Sequence, residues 1–470
     1  MSYDVHMKKE YDFTFVYEIK NRELDNVLLL KCELERRGHS VNILETWSEE
    51  CHKSIPSKSK VLVSFALHDN KTIKYVSQFV RGCTKFVNMQ WEQVFTNGDR
   101  LQNKNDAGTT GVYGDAKKGF HICWGENSFH ELTTKFDVET THAGITGNVS
   151  LDFLRPEFHS FYTPKEELFA KYGLDPNRQT YLFISSFSYG ELPDSILNSE
   201  LYQNQGFDVS EFRNISICSQ KSILDWIELE LLKRPEITMV YRPHPAESNI
   251  ARLKNMEDRY TNFRVIGELS IKQWIITVDK IYTWWSTSIA EVFMSGKGCS
   301  ILRPFEIPYL SELELYNGAS FISDYNQFSN SYTLSNSFPL SNERMQFYYY
   351  SEPRTPAYLK VADALEEVLN NDDFIVHGYE NEDKNDVFIF LYNIKRGLKQ
   401  FLFNHRFVYY IFDKIVKQRR FANELTLADL KDDFSYYNEM KNKNAVSHEV
   451  IMEKEALLKS IMERFTGGHS

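Results

Sequence analysis

The sequence has few cysteines, and their spacing fits neither a metal site nor a disulfide framework. Six cysteines occur in 470 residues, and none forms a Cys-x-x-Cys pair. Structural zinc sites and small disulfide-rich folds depend on paired spacings, so neither is indicated. We therefore expect reduced, buried thiols.

Long apolar runs and an excess of positive charge are also missing. No stretch approaches the ~18 uninterrupted apolar residues that a bilayer-spanning helix needs, and the polar segment Met1–Lys9 has no signal-peptide core. The net charge of −11 excludes a general nucleic-acid binder, because phosphate neutralisation requires a basic face. A cytoplasmic protein that does not bind nucleic acid is the expectation.

Three common phosphate-binding signatures are absent. The chain has neither GxxxxGK[ST] nor GxGxxG, which disfavours ATPases and dehydrogenases. No Asp-x-Asp lies where a predicted strand passes into a loop, which disfavours a metal-chelated diphosphate. We therefore predict no metal and no cofactor.

What the sequence does contain is a repeated alternation of strand-like apolar runs with helical periods. One series occupies residues 1–155 and a second occupies 179–345, joined by a linker at 156–178. Such alternation predicts parallel sheets with crossover helices, and the length suffices for two cores. We predict an α/β protein of two Rossmann-like parallel-sheet domains that face a cleft. In the second series, a helix is predicted at Lys221–Lys233 after a polar stretch.

The C-terminal part has a different character. Residues 346–385 are predicted to contain a helix, Pro356–Asn370, that crosses the domain junction, and 386–470 are predicted to form a helical extension. Within 386–421, Phe and Tyr alternate with Lys and Arg. One interpretation is a helix on the anionic headgroups of the inner membrane surface. The other is that these aromatic side chains pack on the protein's own domains or on a partner protein.

Two segments at predicted strand ends are candidates for anion binding. They are Arg242-Pro243-His244-Pro245 and Ser286-Thr287-Ser288, the second of which opens a helix. Ligands of open α/β sheets bind beyond the carboxyl ends of the strands. Arg242 and His244 are therefore predicted to meet a phosphate, and the three hydroxyls and the helix start a further phosphate oxygen. The alternative for the hydroxyls is a plain helix N-cap.

Further polar residues lie at the same predicted sheet edge. Glu291, one turn into the helix, is predicted to accept hydrogen bonds from ribose hydroxyls. Arg303 follows the next strand and is a weaker phosphate candidate, while Ser185 and Ser186 are predicted to line the floor of the cleft.

Residues that end strands of the first domain are candidates for catalysis. Glu18 follows the first strand, Glu92 follows a later one, and His68 is a third candidate. A carboxylate that faces the cleft can act as a general base, or as a nucleophile in a retaining reaction. The alternative for Glu18 is an ordinary acidic helix start that suits the helix dipole.

Several of these segments together resemble a known family. Similar segments occur in the bacterial surface carbohydrate biosynthesis proteins, which are similar in turn to two-domain GT-B glycosyltransferases that use CMP-activated acid sugars, such as capsule Kdo transferases and sialyltransferases. The matching segments, within about residues 12–330, are Glu18-Ile19-Lys20-Asn21-Arg22-Glu23-Leu24-Asp25, Trp124-Gly125-Glu126, Thr146-Gly147-Asn148 with Asp152, Arg242–Pro245, and the Ser-Thr-x-x-x-Glu run 286–291.

The resemblance implies a GT-B-like fold and an activity. The protein would move a sugar from a nucleotide-sugar donor, a CMP-linked acid sugar such as Kdo being favoured, onto a lipid-linked glycan of capsule or lipopolysaccharide. His244 would contact the donor phosphate, Ser286 to Ser288 the CMP phosphate or ribose, and Glu18 or Glu92 would be the base or nucleophile. Such enzymes work at the inner face of the cytoplasmic membrane. Two alternatives stay open: a CDP-polyol-dependent polyol-phosphate transferase of the teichoic-acid type, and a non-catalytic scaffold of a polysaccharide assembly.

Overall fold

The structure, a computed structural model, contains two six-stranded parallel sheets, each formed by one of the two predicted series. It describes residues 10–46, 56–101, 111–192, 194–198, 205–245, 247, 251–332, 338–352, 354–380 and 442–466. The aromatic and basic segment 386–421, for which membrane binding is predicted, lies outside these residues.

The first sheet has the order β2-β1-β3-β4-β5-β6, with every pair parallel. Strand order reverses between β1 and β3, and such a switch point opens a crevice at the carboxyl ends of the two strands. The strands are β1 Glu10–Tyr17, β2 Val41–Glu45, β3 Lys58–Ser64, β4 Lys85–Asn88, β5 Phe120–Cys123 and β6 Ala143–Ile145.

The second sheet has the order β12-β11-β10-β7-β8-β9, again entirely parallel. This is the strand order of the dinucleotide-binding Rossmann fold, and its switch point lies between β7 and β10. The strands are β7 Thr180–Ile184, β8 Thr238–Arg242, β9 Phe263–Val265, β10 Lys280–Thr283, β11 Cys299–Leu302 and β12 Phe321–Ile322.

Helices cover both sheets. The α-helices are α1 Asp25–Arg36, α2 Asn70–Ser77, α3 Asn97–Leu101, α4 Glu126–His130, α5 Val149–Asp152, α6 Lys165–Tyr172, α7 Asp194–Leu197, α8 Val209–Lys233, α9 Ala251–Arg259, α10 Ile271–Thr277, α11 Ile289–Met294, α12 Tyr325–Ser331, α13 Asn342–Tyr348, α14 Ala357–Asn370 and α15 His448–Thr466. Short 3-10 helices occupy Gly114–Lys118, Thr140–His142, Pro156–Phe161, Phe187–Glu191, Tyr309–Ser311, Glu314–Tyr316 and Asp372–Phe374, and π-helical turns occupy Lys20–Leu24 and Glu131–Lys135.

The structure has a helix, α14, at the place predicted for the crossing helix, and it completes the core of the first domain. Asp152 is buried and accepts the N–H groups of Ala357 at 3.1 Å and Tyr358 at 2.8 Å. Because the first N–H groups of a helix have no partner within it, this carboxylate serves as its cap. Apolar residues of α14 and α15 share one cluster with α1 and the first sheet. The two parallel sheets with a helical C-terminal region confirm the predicted GT-B-like fold.

An ion-pair cluster connects the two domains beside the cleft. Arg100 of α3 donates its Nε to Glu314 Oε2 at 2.8 Å and also pairs with Glu131 of the first domain. Both carboxylates are nearly inaccessible to solvent, at 6% and 9% exposure. Asn97 adds a hydrogen bond of 3.0 Å to Asn317 of the second domain.

Helix α8 is longer than predicted. The sequence indicated a start at Lys221, but the helix begins at Val209, where the Asp208 side chain accepts the N–H of Glu211 at 2.9 Å. Polar residues of low helix propensity conceal this first half from a sequence pattern. Two of them, Ser216 and Ser219, are fully buried.

Most of the described cysteines are buried. Four described cysteines, Cys32, Cys83, Cys123 and Cys299, are free and buried as expected, whereas the free Cys218 is exposed. In the ranges that the structure describes, no helix is both long and apolar enough to cross a membrane.

Candidate functional site

The loops that follow β1 and β8 both interact with the segment that precedes helix α15. Lys20, after β1, donates its N–H to Asn444 Oδ1 at 2.8 Å. The pKa of His244, after β8, is lowered by burial and further by the charge of Lys443. Since Lys443 and Asn444 are adjacent, one segment contacts the Glu18 loop and carries a charge that acts on the His244 turn.

A buried carboxylate that the sequence analysis did not single out organises the His244 turn. Glu247 is 7% exposed and accepts the N–H of His244 at 3.1 Å. Its other donors are Ser185 Oγ at 2.6 Å, Tyr241 Oη at 2.8 Å and Gln220 Nε2 at 2.8 Å. The turn is thus held by side chains from β8, α8 and the end of β7. A Glu two residues beyond a Pro-His-Pro turn is the signal that would have found it.

Arg242 supports a neighbouring loop. Its Nη1 donates to the carbonyl of Glu268 at 2.7 Å, and its Nη2 donates to the carbonyl of Leu269. Leu269 has a positive φ of 65°, which is uncommon for a residue with a side chain. Burial lowers the pKa of Arg242 to about 10. The guanidinium therefore holds this strained loop against the end of β8.

The two serines after β7 have partners inside the second domain. Ser185 is 3% exposed, and its hydroxyl bonds to Glu247 and accepts from Tyr241. Ser186 Oγ accepts the N–H of Trp285 at 3.1 Å, which joins the ends of β7 and β10 at the switch point. Both shape the floor of the crevice.

The Ser286–Ser288 segment forms a turn before α11. The buried Tyr316 Oη contacts Ser286 twice, accepting its N–H at 3.2 Å and donating to its carbonyl at 2.8 Å. Ser286 Oγ accepts the N–H of Ser288 at 3.2 Å, so its hydroxyl helps to close the turn. The Thr287 side chain is exposed at the tip. Helix α11 begins at Ile289 and has six residues.

Glu291 lies in α11 beside a lysine that the sequence analysis did not select. Burial raises the pKa of Glu291, and the charge of Lys272 opposes this rise. The pKa of Lys272 is lowered by burial, while Glu291 and Asp25 of α1 oppose that shift. Lys272 and Glu291 are both half-buried, and they lie near Asp25 at the boundary between the two domains.

Arg303 is enclosed within the second domain. It is 5% exposed, its Nη2 lies 2.9 Å from Glu312 Oε2, and its guanidinium lies 4.8 Å from the centre of the Phe321 ring. Burial lowers its pKa. The structure therefore gives this predicted phosphate candidate a carboxylate and an aromatic ring as neighbours.

The two predicted catalytic carboxylates, Glu18 and Glu92, have different surroundings. Glu92 is 61% exposed and pairs with Arg22, which also binds the buried Glu23 at 2.6 Å. Glu18 is half-buried and forms no ion pair with any residue that the structure describes. Its pKa is raised by burial first and then by Glu23 and Glu92.

A π-helical turn sets the geometry of this carboxylate cluster. Residues Lys20–Leu24 form the turn, and Glu23 Oε2 accepts the N–H of Glu18 at 2.7 Å. Such turns interrupt regular helices and are frequent at functional sites. The carboxylate of Glu23 thereby fixes the backbone from which Glu18 extends.

A solvent-open cleft lies at the carboxyl edge of the first sheet, lined by His68, Gln90, Glu92 and neighbouring residues. Gln90 has a positive φ of 33°. His68 Nδ1 lies 3.2 Å from the carbonyl of Gly111, which fixes the tautomer with the proton on Nδ1. Burial lowers the pKa of His68, so the imidazole is neutral at pH 7.

Across the described part of the chain, no three His, Cys, Asp or Glu residues are grouped as metal ligands.

Comparisons with known proteins give structural similarity only. No protein-family model and no curated protein sequence matches the chain. A UDP-GlcNAc 2-epimerase from Neisseria meningitidis bound to UDP-GlcNAc is similar with a TM-score of 0.44 and 13% identity, over 76% of this chain and 100% of that one. The UDP-GlcNAc 2-epimerase from Methanocaldococcus jannaschii is similar with a TM-score of 0.46 and 11% identity, over 76% of this chain and 100% of that one. The wall teichoic acid polymerase TagF is similar with a TM-score of 0.47 and 11% identity, over 76% of this chain and 88% of that one.

Proposed function

We propose that the protein is a GT-B glycosyltransferase that moves a sugar from a nucleotide-sugar donor, preferably CMP-linked, onto a surface glycan or glycolipid. One observation carries this proposal. Glu18, a half-buried carboxylate with a raised pKa, follows β1 of the first domain, and the His244 turn, which the buried Glu247 holds in place, follows β8 of the second. A base on one wall and a rigid anion-binding turn on the other suit group transfer from a phosphate.

The roles follow from the positions of the side chains. Glu18 removes the proton of the acceptor hydroxyl, whose oxygen bonds to the anomeric carbon of the donor. The bond between that carbon and the phosphate oxygen breaks, and its electron pair stays on the nucleotide. His244 and the exposed hydroxyl of Thr287 stabilise the charge that develops there, and Glu291 binds the ribose. The raised pKa makes Glu18 a stronger base than an ordinary carboxylate.

The acceptor occupies the cleft of the first domain. Its lining combines His68, Gln90 and Glu92 at the ends of β3 and β4. Polar groups of this kind suit the hydroxyls of a sugar. The lipid-linked end of the acceptor would then be held near the membrane by the segment 386–421, which is a further part of the proposal. Co-sedimentation of the full chain with anionic vesicles, against neutral ones, tests that part.

A donor panel tests the proposed activity. The full chain is incubated with a lipid-linked glycan and, separately, with CMP-linked acid sugars, UDP-sugars, CDP-glycerol and CDP-ribitol, and nucleotide release is measured. Release from a CMP-linked sugar is expected. Turnover of CDP-glycerol or CDP-ribitol alone would indicate a polyol-phosphate transferase. Failure to bind CMP, CDP or UDP in calorimetry would favour the scaffold and overturn the proposal.

A further inference from the structure

The segment 442–466 lies along the Glu18 loop, residues 18–24, and along helix α1, which follows it. Four contacts occur in the same order along both parts of the chain: Asn444 with Lys20, Lys454 with Asp25, Glu455 with Lys31 at 3.0 Å, and Lys459 with Glu35 at 2.9 Å. Helix α15 therefore runs in the same direction as α1. The residues before α15 consequently reach the loop after β1, at the carboxyl edge of the first sheet.

Asn444 caps the π-helical turn of this loop. The first N–H groups of a helix have no partner within it, and a polar side chain just before the helix commonly accepts one of them. Before the turn Lys20–Leu24 this position holds Ile19, which forms no such bond. The acceptor is Asn444 Oδ1 instead, 2.8 Å from the N–H of Lys20 and 424 residues further along the chain. Asn444 is 2% exposed, so little water competes for its amide.

Neighbouring residues fix Asn444 against the first domain. Lys20 Nζ donates to the carbonyl of Ala445 at 3.2 Å, and Val446 packs against the apolar cluster built on α1 and the first sheet. On the other side of the loop, the Glu23 carboxylate accepts the N–H of Glu18 at 2.7 Å. The backbone that carries Glu18 is thus held at its own N–H and at the N–H of the second residue after it.

We propose that Asn444 is a positioning residue for Glu18: by capping the turn that follows, it fixes the backbone from which this carboxylate extends to the acceptor hydroxyl. This role rests on the proposed function, in which Glu18 is the base, and it makes the segment 442–466 a part of the site. A general base must lie within about 2.6–3.2 Å of the oxygen whose proton it removes. A displacement of about 1 Å can therefore lower turnover by about 100-fold.

Transfer assays on the full chain test this role. Asn444→Ala should lower kcat by about 10- to 100-fold and leave the affinity for CMP, measured by calorimetry, unchanged. Asn444→Asp keeps an acceptor oxygen for the N–H of Lys20 and should recover most of kcat. Equal kcat for Asn444→Ala and wild type would overturn the role and leave the proposed function standing. Absence of transfer by the wild type with every donor would overturn both.

Asn371→Ala is the matched control. The Asn371 side chain also accepts a backbone N–H, that of Asp373 at 2.9 Å, but it lies near the start of β4, at the opposite edge of the first sheet. This variant should keep the kcat of the wild type. An equal loss of kcat in both asparagine variants would mean that the loss reflects general destabilisation, and it would refute the positioning role.

Hydrogen–deuterium exchange tests the cap independently of activity. Peptides from residues 18–24 should exchange faster in Asn444→Ala than in wild type, whereas peptides from the middle of α1 should exchange equally in both. Unchanged exchange of residues 18–24 would mean that Asn444 does not hold the turn, and would overturn the inference whatever the activity of the protein.

The pH dependence of kcat/KM separates positioning from a purely structural contact. A loosened loop exposes Glu18 to water and reduces the burial that raises its pKa, so the acidic limb of Asn444→Ala should lie at lower pH than that of wild type. The charged groups that act on Glu18 are the same in both proteins, namely Glu23, Arg22 and Glu92. A lower free energy of unfolding with unchanged kcat and an unchanged acidic limb would reduce Asn444 to a structural contact.

Discussion

Glu247 and His244 are joined by two reciprocal hydrogen bonds. The N–H of His244 donates to the Glu247 carboxylate at 3.1 Å, and the N–H of Glu247 donates to the carbonyl of His244 at 2.8 Å. The turn is closed on itself, with prolines on either side of the histidine. A carboxylate with four donors around it makes this the most constrained part of the proposed donor site.

Replacing Glu247 by Gln should destabilise the protein and weaken nucleotide binding. The amide group would turn N–H donors toward Ser185, Tyr241, Gln220 or His244, which are already donors. A buried network broken in this way costs about 2–5 kcal/mol. Urea unfolding measures the loss, and the exposed Glu236→Gln in the same domain is the control. A free energy of unfolding equal to that of the control would show that the carboxylate does not organise the turn.

Glu18 and Glu92 should be distinguished by the pH dependence of kcat/KM. Since the pKa of Glu18 is raised above 4.5, the active carboxylate form is lost as pH falls through that raised value. Glu18→Gln should lower the rate by about 100- to 10,000-fold and abolish this acidic limb. Glu92→Gln should lower kcat/KM far less, since an amide still bonds to an acceptor hydroxyl, and should move the limb to lower pH, because the charge of Glu92 contributes to the raised pKa of Glu18. The opposite pattern would make Glu92 the base.

His244→Ala should remove at least about 100-fold of the turnover, since the imidazole is proposed to stabilise charge on the departing nucleotide. The fold should persist, because the substitution keeps the backbone N–H of His244 that donates to Glu247. Transfer assays and thermal unfolding measure the two effects. His130→Ala, at an exposed site on α4, serves as the reference. Full activity in His244→Ala would exclude the proposed role.

Arg100→Ala should loosen the contact between the domains. It leaves Glu314, 6% exposed, without its cation, and Glu131, 9% exposed, with only Lys135 at 3.6 Å. Removing one partner of a buried ion pair costs about 3–5 kcal/mol. In contrast, Arg178→Ala affects an exposed pair and should cost less than about 1 kcal/mol. Denaturant unfolding compares the two variants, and equal losses would contradict the structural role of Arg100.

The sequence was sufficient for the architecture because apolar periodicity is strong in buried parallel strands. The predicted alternating series produced both sheets, and strands such as β7 and β10 are almost entirely buried. Secondary structure was not predicted where buried residues are polar or where an element is very short. The first half of α8 buries Ser216 and Ser219, and β12 has only two residues, Phe321 and Ile322.

The sequence indicated which strand ends could carry the candidate site, but not which of their side chains bind other parts of the protein. Strand ends indicated His244, Glu18 and the Ser286 turn, because parallel strands bring their carboxyl ends to one edge. Which groups already have protein partners depends on contacts between distant segments. The carbonyls that engage Arg242 and the Glu312 beside Arg303 are examples. Asn444, more than four hundred residues from Lys20, could not be inferred from spacing.

The shared core of the first domain has a consequence for biosynthesis. Helices α14 and α15 supply Val361, Leu365, Leu458 and Ile461 to the cluster built on α1 and the first sheet. During synthesis, the first domain therefore exposes part of its apolar face until α15 has been translated. Such delayed closure makes a nascent chain vulnerable to aggregation. The first domain should consequently reach its full stability only after α15 has docked.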